Sequence, residues 1–181
     1  MAKWFYDTLS DQKLMRLYAR GRQQAFESLY RRHRIGLYQF LRRQCGSDAV
    51  AEELAQDAWM AVIRRASNYR PTAKFKTWLY RIAHNRLVDH WRKFGPTANV
   101  VTEELTDVLA SADRCSHGAR VAELMALVEA LPKAQMTTML LKLSGFTRKE
   151  IAQITEVNQE TVKSRLRYAK RQLTQLLGSG A

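Results

Sequence analysis

Apolar residues recur along most of this chain at spacings of three and four, which is the period of an amphipathic α-helix. No segment shows the strict alternation of apolar and polar residues expected of a β-strand. The pattern predicts an all-α protein with helices over residues 11–21, 23–44, 47–65, 75–94, 121–130, 133–144, 147–155 and 159–176.

The helical period weakens between Thr97 and Gly118, where residues are small, polar or acidic, as is typical of linkers. The sequence therefore predicts two small helical domains, over residues 1–95 and 121–177. An acidic, flexible linker over residues 96–120 is expected to join them.

The charge of this chain is strongly clustered. Its formal net charge is +13. Residues 71–93 hold 6 basic and 1 acidic side chains, and residues 131–181 hold 9 basic and 3 acidic ones. Between them, residues 94–130 hold 2 basic and 6 acidic side chains. Two basic modules around an acidic segment favour a polyanionic partner, either nucleic acid or an anionic membrane surface.

Several classes of function lack their sequence signature. The chain has 2 Cys and 4 His, and its histidines are scattered, with His84 and His90 expected on a helix surface. No glycine-rich nucleotide loop, metal-ligand cluster or nucleophile motif is recognisable. We therefore expect no catalytic residues, no metal, no cofactor and no small-molecule substrate. Without an apolar run long enough for a membrane helix or a signal peptide, we expect a cytoplasmic protein with no stable membrane insertion.

The end of the chain has the spacing of a helix-turn-helix. Thr147 and Glu150 form a capping-box pattern, Asn158 is placed to cap the next helix, and Val162 and Leu166 are placed to hold it. The outer face of that helix is basic and polar, with Lys163, Ser164, Arg167, Lys170 and Arg171. A generic helical hairpin with a solvated basic face would show a similar pattern.

Aromatic and cationic side chains are interleaved between Lys74 and Lys93. This mixture suits single-stranded DNA, because bases stack on rings while cations follow the backbone. An amide such as Asn85 can read the polar edge of a base. Phe75 and Ile82 are expected in the core, whereas Trp78 stays undecided and Tyr69, in a loop, is expected to be exposed.

The third predicted helix carries a strip of acidic and polar residues at Asp48, Glu52, Glu53, Gln56 and Asp57. Acidic residues near a helix N-terminus favour the helix dipole, so the strip has a purely structural explanation. It would equally suit a protein partner with a basic patch.

The order and separation of these motifs resemble those of bacterial RNA polymerase sigma factors of the compact, extracytoplasmic-function (ECF) type. Residues 22–94 resemble the family's region 2, and residues 131–177 resemble its region 4. The fragments that carry the resemblance are Ala25-Phe26-Glu27-Ser28-Leu29-Tyr30, Ala51 to Trp59, Phe75 to Lys93, Leu131-Pro132, Glu150-Ile151-Ala152 and Thr161 to Leu166.

The resemblance implies a promoter-specificity subunit that binds core RNA polymerase through the coiled coil of its largest subunit and its flap region. The residues at the polymerase-contacting positions are Glu53, Leu54, Gln56 and Asp57. Those implied at the −10 promoter element are Tyr69, Lys74, Lys76, Trp78, Arg81, Asn85 and Arg86. Those implied at the −35 element are Lys163, Ser164, Arg167, Tyr168 and Arg171. An anti-sigma factor is the implied regulator, and the acidic linker is implied to thread toward the RNA exit path.

This chain departs from the family pattern in region 4. Glu156 occupies the turn position where glycine is usual, and the segment Ala134-Gln135-Met136 lacks the usual arginine.

Two other functions stay open from the residues alone. A stand-alone helix-turn-helix regulator would leave residues 48–93 unexplained, and a nuclease would need an acidic cluster that the sequence does not show.

Overall fold

The structure is a computed structural model that describes residues 3–69, 73–95 and 116–178. Within these ranges the chain is helical and contains no strand. The helices are α1 (Lys3–Asp7), α2 (Asp11–Ala19), α3 (Gln23–Cys45), α4 (Asp48–Arg64), α5 (Phe75–Phe94), α6 (Ser116–Glu129), α7 (Lys133–Leu143), α8 (Arg148–Thr155) and α9 (Gln159–Gly178), with a 3-10 turn at Ala66–Asn68.

The first domain is a bundle built around α3, which packs against α1, α2, α4 and α5. Its core is rich in leucine, with Leu14, Leu29, Leu37 and Leu79 fully buried. Gly46 ends α3 in the left-handed conformation, at φ 70°, which glycine adopts without steric cost.

The second domain consists of α6 to α9 around Leu141, Ile151, Ile154 and Val162. The predicted capping box at Thr147 is confirmed, since its hydroxyl accepts from the Glu150 amide and the Glu150 carboxylate accepts from the Thr147 amide. The Thr161 amide donates to Asn158 Oδ1 over 2.7 Å, so the predicted cap of α9 is confirmed as well. The helix-turn-helix spacing therefore gives the expected pair, α8 and α9.

The predicted helices are all present, but two features differ. Helix α1 was not predicted, because five residues are too few to show a period. Helix α6 begins at Ser116 and not at Val121. Residues 96–115, which include most of the predicted linker, lie outside the described residues.

The two domains pack against each other, with α5 on α8 and α3 on α7. The rings of Tyr80 and Phe146 meet edge to face, with centroids 4.8 Å apart. The hydroxyl of Thr137 donates to Gln44 Oε1 in a buried contact between α7 and α3. No helix in the described residues is both long and apolar enough to cross a membrane.

Candidate nucleic-acid and protein interfaces

Helix α9 presents a basic face to solvent. Lys163, Arg167 and Arg171 are spaced four residues apart, so they lie in one row along the helix, and all three are exposed. Ser164 and Tyr168 form the neighbouring row. The Arg167 guanidinium lies 5.2 Å from the Tyr168 ring centroid, so the two rows are in contact. The five side chains predicted for the −35 element therefore share one accessible surface.

The turn before α9 is strained at Glu156. This residue has φ 55° and ψ 38°, and it is the one non-glycine residue with positive φ among the described residues. A left-handed conformation costs an L-residue about 1–2 kcal/mol, so Glu156 accepts the cost that glycine would avoid.

The residues predicted to read the −10 element lie on α5 and just before it, but four of them contact the second domain. Arg81 donates from Nη2 and Nε to Glu156 Oε1 over 2.8 and 3.0 Å. Asn85 Nδ2 donates to the same oxygen over 3.4 Å. Lys74 Nζ lies 3.0 Å from Glu150 Oε1, and Lys76 Nζ donates to the Ser144 carbonyl oxygen over 2.8 Å. These side chains form a shared surface with α8 and its flanking turns.

Tyr69 and Trp78 pack on each other at the base of this surface. Their ring centroids are 5.0 Å apart, and both side chains are half-buried. The expectation that Tyr69 is exposed is therefore wrong, because its ring packs onto α5. Burial also raises the pKa of the Tyr69 hydroxyl. Phe75 and Ile82 are buried in the core as predicted.

His84 is also placed differently from the prediction. The sequence predicts it on the helix surface, but the side chain is half-buried beside the second domain, with Nδ1 shielded from solvent. Burial lowers the pKa of His84 to about 4; the Arg165 charge adds to this effect, and Glu156 opposes it. The last of the predicted −10 residues, Arg86, is half-buried one turn from Ile82.

The acidic strip of α4 faces solvent. Glu52, Glu53, Gln56 and Asp57 are all exposed. Leu54 is 6% exposed and belongs to the core of the first domain. The helix turns the Leu54 side chain inward while its polar neighbours point outward. Its contact with a polymerase stays a prediction.

Beside this strip, α3 and α4 enclose an apolar groove of about 710 Å³. The rings of Phe26, Tyr30 and Trp59 form its floor, with the Tyr30 and Trp59 centroids 5.1 Å apart. Ile35 and Met60 stand on its rim at 58% and 47% exposure. Neither rim residue was a functional candidate from the sequence, although Ile35 falls outside the apolar stripe of α3, and an apolar residue so placed is a usable signal of an interface.

The fold agrees with comparisons to known proteins. Residues 29–95 match the family model for Sigma-70 region 2, and residues 122–173 match that for Sigma-70, region 4. The ECF RNA polymerase sigma factor SigM of Mycobacterium tuberculosis is 31% identical over 172 residues, which cover 93% of this chain and 85% of SigM. The RNA polymerase sigma factor CarQ of Myxococcus xanthus is 31% identical over 160 residues, covering 87% of this chain and 92% of CarQ.

Solved structures show the same fold. The structure of CnrH in complex with the cytosolic domain of CnrY has a TM-score of 0.70 at 22% identity, covering 94% of this chain and 99% of that one. The sigma factor RpoE of Bartonella quintana, in complex with the anti-sigma factor NepR, has a TM-score of 0.66 at 22% identity, covering 84% and 96%. Matched in both regions and along nearly its whole length, this chain belongs to the ECF sigma factors of the sigma-70 family.

Proposed function

We propose that this sigma factor works through three separate surfaces: the α3–α4 groove for core polymerase, the face of α5 for the −10 element, and the outer face of α9 for the −35 element. As a sigma factor it is a promoter-specificity subunit of bacterial RNA polymerase and not an enzyme. The observation that carries the proposal is that the three surfaces lie on different helices (α3 with α4, α5, and α9) and differ in chemistry.

The groove between α3 and α4 has the chemistry of a protein-docking site. Apolar side chains that stay exposed beside charged ones mark interaction surfaces, and aromatic residues are enriched where binding energy concentrates. The rim carries Glu52 and Gln56 on one side and Arg34 on the other. A helical partner with an apolar stripe and basic flanks fits this groove, which supports docking of the polymerase coiled coil beside Glu53 and Asp57.

Charge reversal at Glu53 or Asp57 tests this surface. Both side chains are exposed, so either change to Lys should leave folding intact while it removes attraction to a basic partner. Met60→Asp should have a larger effect, because it puts a charge in the apolar groove. We expect each charge reversal to cost about 1.4 kcal/mol of binding free energy, which lowers the affinity for purified core polymerase by about tenfold.

Glu123→Lys is the matched control, because Glu123 is exposed on α6, in the other domain. Equal affinity of the groove variants and this control would place the polymerase contact elsewhere.

The face of α5 suits a melted strand. Lys74, Lys76 and Arg81 supply positive charge along one side, and Trp78 supplies a ring next to them. Asn85 offers an amide that can donate to and accept from a base edge. These groups support recognition of the −10 element as single strand, with Asn85 as the base reader.

The outer face of α9 suits the major groove of duplex DNA. A helix fits that groove, and arginine and lysine can reach guanine edges or phosphates from it. The exposed rows on α9 supply such groups together with the Ser164 hydroxyl and the Tyr168 ring. They support recognition of the −35 element.

We further propose that a protein inhibitor regulates this chain in the cytoplasm, where the polymerase acts. The support is the fold shared with CnrH bound to CnrY and with RpoE bound to NepR. The test is to purify the chain from its native cells and identify a protein that co-elutes in equal amount. That protein, purified and added back, should block transcription by the reconstituted holoenzyme, and a protein that leaves transcription unchanged would not be this inhibitor.

A further inference from the structure

The contact between the two domains uses the side chains assigned above to the −10 element. Arg81 and Asn85 converge on one oxygen of Glu156, and Lys74 pairs with Glu150. Lys76 lies 4.7 Å from the centroid of the Phe146 ring while it donates to the Ser144 carbonyl. In the closed arrangement, four side chains of the α5 surface are therefore paired with α8 and its two flanking turns, while Lys74, Arg81 and Asn85 stay partly exposed.

The acidic residues of the second domain are placed for this contact. Residues 131–181 contain three acidic side chains, Glu150, Glu156 and Glu160, among nine basic ones. Two of the three pair with cations before or on α5, while Glu160 lies 3.4 Å from Lys163 on its own helix. Two of the three acidic side chains in this basic segment thus lie where it faces the first domain.

Glu156 makes this contact at a conformational cost. Its left-handed backbone would suit glycine, so an L-residue at this position loses free energy that the local turn does not return. Strained residues persist where the surroundings hold them, and they concentrate at functional sites. The carboxylate that glycine would lack is the group that receives Arg81 and Asn85.

The Glu156 carboxylate resembles a phosphate in what it offers these residues. It presents a negatively charged oxygen to a guanidinium and an amide, as a DNA backbone would. Hydrogen bonds from Arg81 and then Asn85 hold the pKa of Glu156 below its usual range, so the group stays ionised. A melted strand and Glu156 would therefore compete for the same donors.

The closed contact is also incompletely satisfied. Thr77 Oγ1 and His84 Nδ1, both on α5, are buried with no hydrogen-bond partner among the described residues. A cavity of about 560 Å³ remains at the junction, lined by Thr77, Trp78 and Gln153 among others. The Arg81 and Glu156 side chains are 53% and 52% exposed, so their pair is weak. Such a contact is suited to opening.

We propose that Glu156 is an intramolecular latch that holds the −10 surface closed before the chain engages promoter DNA. The groove between α3 and α4 and the outer face of α9 lie outside the latch and stay exposed. The closed chain can therefore dock on polymerase while the donors of its single-strand surface are paired within the chain. The functional meaning of the latch rests on the proposed role of Arg81 and Asn85, but the latch itself is a property of the free chain.

The test measures closure without DNA or polymerase. Two fluorescent dyes are attached through Lys13→Cys on α2 and Thr174→Cys on α9, in a full-length chain whose native cysteines are replaced by serine. The fraction of molecules with separated domains is then read by single-molecule energy transfer. For Glu156→Lys, which sets two cations against each other, we expect the open-to-closed ratio to rise by about fivefold, the upper range for an exposed pair.

Three further variants identify the cause. Glu160→Lys makes the same charge change in the same domain, away from α5, and should leave the open fraction at its wild-type value. Glu156→Gly removes the carboxylate and also relieves the backbone strain at this position. Because the variant should fold at least as well as the wild type, any opening that it causes comes from the lost carboxylate and not from a failure to fold. Arg81→Glu combined with Glu156→Lys restores an opposite pair and should restore closure.

Equal open fractions in Glu156→Lys, Glu156→Gly and the wild type would overturn the latch. An equal rise in Glu160→Lys would overturn it too, since the effect would then be general charge repulsion. Neither outcome bears on −10 recognition, which is measured in the holoenzyme and has its own variant, Asn85→Ala.

Discussion

Glu156 shows how a single side chain can differ from the family pattern and still fit the fold. From the sequence alone, glycine is usual at this turn, and glutamate is expected to bear a conformational cost. The structure shows both the cost, at φ 55°, and the contacts with Arg81 and Asn85. At the scale of the residue, then, a side chain in a locally unfavourable backbone conformation makes hydrogen bonds with the other domain.

The backbone cost at Glu156 predicts a difference between two substitutions. Glu156→Gln and Glu156→Gly both remove the carboxylate, but only glycine relieves the left-handed strain. The relief of about 1–2 kcal/mol exceeds the free-energy cost of the entropy that glycine adds to the unfolded chain. Glu156→Gly should therefore be more stable than Glu156→Gln by about 1 kcal/mol. Urea denaturation of the full chain measures this difference, and equal stability would show that the turn bears no strain.

His84 predicts a dependence of stability on pH. Its pKa is lowered to about 4, mainly by burial, from an unfolded value near 6.5. The neutral form is therefore favoured in the folded state. The stabilisation that neutral His84 gives the folded state is complete above about pH 6.5. It is lost as the pH falls toward 4, and the free energy of unfolding then drops by at most about 1.4 kcal/mol per pH unit.

Between about pH 6.5 and 5, carboxylates such as Glu156 and Asp11 add little to the pH dependence of the free energy of unfolding. Their pKa values are lowered, so their stabilisation is lost only at more acidic pH. The free energy of unfolding of His84→Gln should therefore depend less on pH in this window than that of the wild type. Parallel curves for the two proteins would mean that His84 is accessible to protons when folded.

At the scale of the element, α5 and α9 differ in how far sequence could predict them. The basic face of α9 depends on spacings of three and four within one helix, so it is visible in the sequence. The surroundings of α5 depend on contacts with residues far away in the sequence, such as Arg81 with Glu156, which are 75 positions apart. No local pattern predicts that packing, which is why Tyr69 and His84 were expected to be exposed.

The groove between α3 and α4 also depends on packing that no local sequence pattern predicts. Periodicity predicted both helices and placed Glu53 and Asp57 on the polar side of α4. It could not predict that Tyr30 and Trp59 form the floor of a groove, because this depends on how two helices cross. The same spacing places Leu54 in the apolar stripe of α4, where the structure buries it; its role at the polymerase is implied only by the family resemblance.

Helix α9 carries a prediction for the −35 element. Lys163→Ala or Arg167→Ala should weaken holoenzyme binding to promoter duplex by about 1–3 kcal/mol if a base contact is lost. Lys142→Ala, an exposed cation at the end of α7, is the matched control and should bind as the wild type does. Competition binding at fixed salt measures the loss, and binding equal to that of the control would remove these residues from the −35 interface.

At the scale of the whole molecule, the net charge of +13 conceals an arrangement of opposite charges. The face of α9 proposed for the −35 element is exposed, and the groove proposed for polymerase has an acidic margin at Glu52. The α5 side chains proposed for the −10 element pair with glutamates of the second domain. A stand-alone helix-turn-helix regulator would account for the second domain alone, whereas the proposed function uses all three surfaces.

The most direct test of this account is strand opening by holoenzyme that contains Asn85→Ala. On a promoter identified by mapping transcript start sites, permanganate reactivity reports melting at the −10 element, and protection from nuclease reports binding at the −35 element. We expect Asn85→Ala to lower permanganate reactivity by about tenfold, the equivalent of one base contact, while −35 protection stays at the wild-type level. Equal loss of both signals, or unchanged reactivity, would contradict the assignment of separate surfaces to the two promoter elements.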